Sequence, residues 1–432
     1  MKFPGRRKLK HYFPVSQPKL QLPSFEVRPE LDTYVVGLDQ TIVDVIANVS
    51  DQFLEKYNIG KGLSNLVEHG KADLIYQELV QNAAISDHFA GGTIGNTIHN
   101  YSVLADDKSV LLGVMSANIQ LGSPAYHYLC HTSSKVDMNH LQGVHGDIGR
   151  GITMITPDGE RTFVIDPGAM DALTPEYIPE QIIAGAAAVV VSAYPLRAVG
   201  QPIQQAMLRL LQVANQYQVP VVMSLGTKHL VEEHRELILA TVRQYVDVLA
   251  MNELEAEALT GFADPLQAAE AALELTDMVL ITAGAEGLYL CGYTDEAGKR
   301  ETSNPIKSGT IADYNQFEFS RPVQRQHCKQ PVKVFSHIDP YLGGPERIKN
   351  TNGAGDGALA AILHDIAANH YHRHALPLSS KHELPYLAYS SFAQICKYAN
   401  RVSYAILVQN APRLSRGLPE KEDSLEEAYW ER

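Results

Sequence analysis

The sequence contains no long hydrophobic run. Its longest apolar stretches, such as residues 186–192, fall far short of the roughly 20 residues that a membrane-spanning helix needs, so no membrane partner is expected. Cysteine is scarce: Cys130, Cys291, Cys328 and Cys396 lie far apart with no C-x-x-C pair. That fits reduced thiols in a cytoplasmic protein and argues against a disulfide framework. Positive charge is also short, and the net charge of −13 argues against nucleic acid, which requires a basic face. Neither the P-loop spacing G-x-x-x-x-G-K-[ST] nor a strand-following G-x-G-x-x-G occurs, which excludes a P-loop enzyme and an ordinary dinucleotide binder.

The basic residues that do cluster, Lys2, Arg6, Arg7, Lys8 and Lys10, precede the first acid at Glu26. Pro4, Pro14, Pro18 and Pro23 break any amphipathic helix there, and no apolar signal core follows. Residues 1–32 therefore read as a basic arm, either lying on the body or catching an anion such as a nucleotide effector.

At 432 residues the chain can bury one large α/β domain or two to three smaller units. Residues 33–38 are a β-branched and aromatic run and predict a buried strand; a polar helical stretch is expected over 63–82. From 188 onward the pattern alternates: strand 188–192, helix 203–217, strand 219–224, helix 231–244, strand 246–251, then strand 278–282. Such alternation predicts a mostly parallel sheet flanked by helices, with right-handed crossovers. Residues 151–156 and 160–165, on either side of Pro157-Asp158-Gly159, read as a hairpin outside that rhythm. With the loop after Asp39 it predicts a small β lid over about 39–60 and 113–168, a part that can exclude water from a phosphotransfer site. Residues 293–347 lack periodicity and read as an insertion. A helix over 386–409 closes the main domain, 33–410, and 411–432 reads as an acidic tail.

The stretch that carries most chemistry is Asn350-Thr351-Asn352-Gly353-Ala354-Gly355-Asp356-Gly357, running into an apolar helix. Gly353, Ala354 and Gly355 are small enough to turn their N–H groups toward one point at the helix N-terminus, where unpaired donors and the positive dipole end favour an anion. Asp356 follows in the first turn, and its carboxylate can accept a proton from a hydroxyl attacking a phosphoryl group held at that point. The dipole is expected to keep Asp356 ionised. In the competing reading this is only a glycine-rich cap, with Asp356 complementing the dipole.

Other clusters accompany it. Asp39-Gln40-Thr41 and Asp44 follow the first strand, where open α/β sheets bind ligands; Asp39 capping a turn is the alternative. Gly91-Gly92-Thr93-Ile94-Gly95-Asn96 opens a helix, and its glycines let a polar ligand approach the backbone closely while Asn96 offers an amide to hydroxyls. Arg197 stands five residues past a strand end, either on an anionic product or in solvent. Asn252 and Glu255 follow strand 246–251 and can orient a hydrated magnesium ion, unless Asn252 is only a helix cap. Thr282, Gly284 and Gly287 form a turn suited to nucleotide phosphates. The alternating His370, His372 and His374 lie in a loop-like stretch without a further ligand cluster and are not read as a metal site.

Taken in order, Gly91-Gly92-x-x-Gly95-Asn96, Asn252-x-x-Glu255, Thr282-x-Gly284-x-x-Gly287 and Gly353-Ala354-Gly355-Asp356 resemble the ribokinase-like carbohydrate and nucleoside kinase family over about residues 33–410. The resemblance implies a ribokinase-like fold and ATP-dependent phosphorylation of a nucleoside 5'-hydroxyl, with inosine and guanosine as the expected acceptors. It makes Asp356 the base and Gly353, Ala354 and Gly355 the anion hole. Asp44 and Asn96 fall on the sugar, with Asp39, Gln40, Thr41, Gly91, Gly92, Thr93, Gly95 and Arg197 around it. Asn252, Glu255, Thr282, Gly284 and Gly287 fall on ATP and Mg2+, with Glu255 toward the metal. Many members keep an acidic residue where this chain has Asn350, beside a site for a monovalent cation such as K+, so that site is an open point here. Asp39 and residues 293–347 have no general counterpart and are assigned to purine recognition or to a homodimer interface. A kinase for adenosine or a hexose, and a nucleotide-sensing binding protein on the same scaffold, are the competing functions.

Overall fold

The computed structural model describes residues 26–302, 314–341 and 348–418. Most of the basic arm, part of the 293–347 insertion and residues 419–432 lie outside it. The chain opens with β1 (Tyr34–Leu38), whose five residues are all buried, and enters a second layer with β2 (Ile42–Asn48), β3 (Ser64–Leu66) and β4 (Ile85–Ala90). It returns through the helix Thr93–Ala105 to β5 (Lys108–Leu112), then makes β6 (Val114–Ser116), β7 (Val136–Asp137) and β8 (Gln142–Val144). The second layer is completed by β9 (Gly149–Ile155) and β10 (Arg161–Asp166). After that come β11 (Ala188–Ser192), β12 (Val221–Ser224), β13 (Val248–Asn252), β14 (Met278–Thr282), β15 (Leu288–Asp295) and β16 (Pro331–Ile338).

The larger sheet runs in the order β16-β15-β14-β13-β12-β11-β1-β5-β7. Every neighbouring pair from β7 to β14 is parallel, and β15 and β16 add antiparallel strands at one edge. Strands such as Ala188-Val189-Val190-Val191-Ser192 are buried throughout, as a parallel sheet covered by helices on both faces requires. The helices Thr93–Ala105 and Ala354–Ala375 pack on one another and on β1. Both are buried on every face over long stretches, residues 94–102 of the first and 357–369 of the second, as helices inside the core must be.

The smaller sheet, in the order β3-β10-β9-β2-β4, is entered directly from the carboxyl end of β1 and is made largely from the segments expected to form a lid. It draws strands from 39–60 and 113–168 and also from 64–66 and 85–90. The stretch 63–82 is accordingly not one helix: Ser64–Leu66 pairs in parallel with β10, and the helix is His69–Gln81. Tertiary strand pairing overrides local helical preference there. The last helix, Phe392–Leu407, is shorter than the expected 386–409, because the Ser391–Gln394 capping box sets its start. His370, His372 and His374 lie in the last turns of Ala354–Ala375, a helix rather than a loop. The insertion supplies the edge strand β16. Among the described residues no helix is long and apolar enough to cross a membrane.

Candidate active site

Two of the chain crossings between the smaller sheet and the core meet at the carboxyl end of β1. Asp39-Gln40-Thr41 carries the chain from β1 up to β2; Gly91-Gly92 brings it down from β4 into the helix Thr93–Ala105. Gly92 is the N-cap of that helix with φ 85°, a left-handed conformation that disfavours side chains, and it has no side chain with which to cap. Asp39 caps the helix from the neighbouring strand. Its Oδ2 accepts from Gly95 N at 2.7 Å and its Oδ1 from Gln40 N at 3.0 Å. A Cβ on Gly92 would stand 2.1 Å from Asp39 Oδ2, so only glycine permits the clamp.

Each Asp39 oxygen accepts one backbone N–H and the residue is 2 % exposed, so Asp39 ties the β1–β2 crossing to the start of the helix Thr93–Ala105. Thr41 is fully buried and its hydroxyl donates to Val114 O at 2.7 Å. Gln40 donates to Asp171 and accepts from Arg197 Nη2 at 3.5 Å. Arg197 ends the short helix Tyr194–Arg197, with its guanidinium 5.1 Å from the centre of the Tyr194 ring.

Asp44 and Gly151 pair across β2 and β9, and the Asp44 carboxylate lies against the Gly91 backbone, where a Cβ would approach within 2.5 Å. On the core side, the helix Ala354–Ala375 begins at Gly353, with φ 81°, and its bonding starts where Gly357 N donates to Gly353 O at 2.9 Å. The N–H groups of Ala354, Gly355 and Asp356 stand ahead of that bond, as the anion reading requires. A Cβ on Gly355 would meet nothing within 4 Å, so open space lies beside the cradle. Asn96 Nδ2 donates to Asp356 Oδ2 at 3.0 Å, which brings the Gly-Gly loop and the last glycine motif together.

Burial dominates the electrostatics. It pushes Asp356 up to about 7, against the hydrogen bond from Asn96 and the Arg413 charge, with Asp44 and Glu255 adding to the rise. The expectation that the dipole keeps Asp356 fully ionised is corrected accordingly: a terminus effect of about 0.3–1 kcal/mol does not offset burial beside other carboxylates. Burial likewise raises Asp39 to about 7 and Asp44 to about 6.

The residues expected on the nucleotide side start from adjacent strands, with Asn252 of β13 paired with Thr282 of β14. Asn252 and Glu255 form a full capping box: Asn252 Oδ1 accepts from Glu255 N at 2.9 Å and Glu255 Oε2 accepts from Asn252 N at 3.0 Å. Asn252 Nδ2 also donates to Glu255 Oε1 at 2.8 Å. Glu255 is 4 % exposed and pushed by burial up to about 7. Gly284 and Gly287 shape the turn from β14 to β15, closed by Ala283 N donating to Gly287 O at 2.9 Å.

Sequence reasoning missed three side chains. Tyr194 is pushed by burial up to about 12, and Glu255, Arg197, Asp356 and Asp39 all act on it. Tyr128 has its ring beneath the guanidinium of Arg413, 5.0 Å from centroid. Arg413 itself belongs to the stretch read as an acidic tail, yet it is 6 % exposed and points into the carboxylates. No local motif marks these residues; they become visible only when the ends of the chain are brought together.

Residues 74–309 match the model of the pfkB family of carbohydrate kinases. Over its whole length the chain is 56% identical to guanosine-inosine kinase of Escherichia coli strain K12, across 436 aligned positions and 100% of both proteins. The chain belongs to the pfkB carbohydrate kinase family. Its fold is shared with adenosine kinase from Sinorhizobium meliloti, at a TM-score of 0.64 and 21% identity over 90% of this chain and 97% of that one. A probable sugar kinase from Rhizobium etli gives the same TM-score at 20% identity, covering 90% of this chain and 96% of the other. Family membership makes the chain a kinase and the ribokinase-like architecture its scaffold.

Proposed function

We propose that this chain transfers the γ-phosphoryl group of ATP to the 5'-hydroxyl of guanosine and inosine, giving GMP and IMP. One juxtaposition carries the chemistry: Asp356 stands in the first turn behind the Gly353–Gly355 cradle and is held by Asn96 from the opposite crossing. The choice of nucleoside is supported by the full-length likeness to the Escherichia coli enzyme. Asp356 accepts the hydroxyl proton as the 5'-oxygen forms its bond to phosphorus and the bond to the bridging oxygen of ADP breaks. A carboxylate titrating near neutrality suits a general base. The N–H groups at the helix start meet the charge on the phosphoryl oxygens. Asp44, lining the lid face of the cleft, accepts from ribose hydroxyls.

Glu255 fits Mg2+ through the ion's water shell, since both of its oxygens already accept from Asn252 and a hydrated ion needs only remaining lone pairs. The ion's contribution when bound is to neutralise phosphate charge. Asn350 fits a monovalent cation poorly. It has no carboxylate, its Nδ2 donates to Asn410 O at 2.8 Å and its Oδ1 already accepts from Asn352 N at 3.0 Å; no step is assigned to K+. The cysteines are free, with Cys291 and Cys396 buried, which supports a reducing cytoplasm. The test is a panel of guanosine, inosine, adenosine and hexoses with Mg-ATP, scored for ADP release and the phosphorylated product. Hexose phosphorylation without nucleoside activity overturns the proposal.

A further inference from the structure

The stretch Ala411-Pro412-Arg413-Leu414, beyond the last helix, folds back as a strap across the start of the helix Thr93–Ala105. Asn100 holds it from both sides, accepting from Leu414 N at 2.7 Å and donating to Pro412 O at 3.3 Å. His99 Nε2 lies 2.9 Å from Leu414 O, and Gln409 Nε2 donates to Ala411 O at 3.1 Å and Arg413 O at 3.0 Å. The other side of the strap touches the phosphate cradle. Gly353, at positive φ, is so close that a Cβ there would lie 2.6 Å from Pro412 Cβ.

The strap delivers one guanidinium to the cleft. Arg413 Nε donates to Asn96 Oδ1 at 2.9 Å, Nη2 to Gly91 O at 3.0 Å, and Nη1 to Thr132 Oγ1 at 2.7 Å and His131 O at 3.4 Å. An amide has one acceptor end and one donor end, so an N–H on Oδ1 fixes which way the group faces. Asn96 must then turn Nδ2 toward Asp356 Oδ2, where it donates at 3.0 Å.

We propose that Arg413 is a positioning residue for phosphoryl transfer: through Asn96 it aims the Asp356 carboxylate at the attacking hydroxyl, and it is the counter-charge that lets Asp39, Asp44 and Asp356 share one cleft. The inference rests on Asp356 being the base. The groups acting on Asp356 are Asn96 and Arg413 on one side of the balance and Asp44 and Glu255 on the other, with Asp39 and Tyr194 also within reach. Arg413 acts on Asp39, Asp44 and Asp356 alike. A lysine would keep the charge but not the fork, because only the planar guanidinium reaches Asn96, Gly91 and Thr132 at once.

The experiment compares full-length parent, Arg413→Ala, Arg413→Lys and Asp356→Asn in steady-state kinetics with guanosine and Mg-ATP, with kcat/KM followed from pH 5.5 to 9. Arg413→Ala is expected to lower kcat by about 10²-fold, the scale of a misplaced catalytic group, with the KM for ATP within about twofold of the parent. Its acid limb is expected to move upward by on the order of one pH unit, as loss of a nearby opposite charge dictates. Arg413→Lys is expected to recover the limb and only part of kcat, and low millimolar guanidinium ion to restore part of the kcat of Arg413→Ala. If Arg413→Ala turns over within about threefold of the parent with an unmoved limb, the inference is overturned. If that variant fails to fold by circular dichroism, Arg413→Lys decides: full kcat there overturns the fork, and a limb displaced upward from the parent's overturns the counter-charge. Asp356→Asn separates the two readings, since turnover retained in that variant overturns the base assignment itself.

Discussion

Asn96 donates to Asp356 at 3.0 Å although 260 residues separate them in the chain. One belongs to the crossing by which the lid rejoins the core, the other to the first turn of the helix Ala354–Ala375. The hydrogen bond thus ties the start of one core helix to the start of the other.

Asp356→Asn is expected to lower kcat by several orders of magnitude while ATP binding is kept, since the cradle of backbone donors survives and only the proton acceptor is lost. Single-turnover kinetics and ATP titration by calorimetry measure the two halves. Turnover within about tenfold of the parent would count against the base.

The pH profile follows from the same carboxylate. Burial raises Asp356 to about 7, and the base works only when deprotonated. The kcat/KM for guanosine should therefore fall with unit slope below about pH 7 and level off above it, reporting free enzyme. A flat profile from pH 6 to 8 contradicts this assignment.

Asp39→Ala should destabilise the protein by about 1–3 kcal/mol, because two buried N–H donors lose their acceptor. Asp39 also carries a sign that Asp39→Asn reveals. Its folded pKa, about 7, lies above the unfolded value, so its contribution is full below about pH 4 and lost as pH rises through 7. Denaturant titrations should show stability declining over that window, and Asp39→Asn should flatten the decline.

Asp44→Ala should weaken guanosine binding by about 2 to 4 kcal/mol, since hydrogen bonds to a charged acceptor contribute about 1.5–3 kcal/mol each and hydroxyls are left without one. The affinity for ATP should not change. An unaltered guanosine Kd moves the sugar site elsewhere.

Guanosine and inosine share a 6-oxo acceptor and a protonated N1, whereas adenosine presents the opposite pattern. A site built for the first is expected to reject the second by about 10⁴ in kcat/KM, with guanosine and inosine comparable. Competition kinetics on the three nucleosides decides it.

The repeating strands from 188 to 282 and the glycine motif at 353–356 were legible in the sequence because their signals are local: β-branched runs, alternation and small residues before a helix. Asp39 was visible as a carboxylate at a strand end, but not as the cap for a helix whose own N-cap, Gly92, has no side chain. The helix expected over 63–82 lost its first turn to pairing with β10, a partner about 100 residues away. Arg413 was hidden by its surroundings, since an arginine ahead of an acidic stretch carries no mark of a buried site. Only the strap contacts to Asn96, Asn100 and Gly91 disclose it.

Those contacts also join an early part of the chain to a part that is synthesised late. The strands of both sheets lie between residues 34 and 338, so they can be complete before the strap exists, while Arg413 bonds to Asn96, 317 positions earlier. During synthesis Asp39, Asp44 and Asp356 all precede Arg413. On the proposal that Arg413 aims the base, a nascent chain that had folded its sheets would still lack the group that positions Asp356.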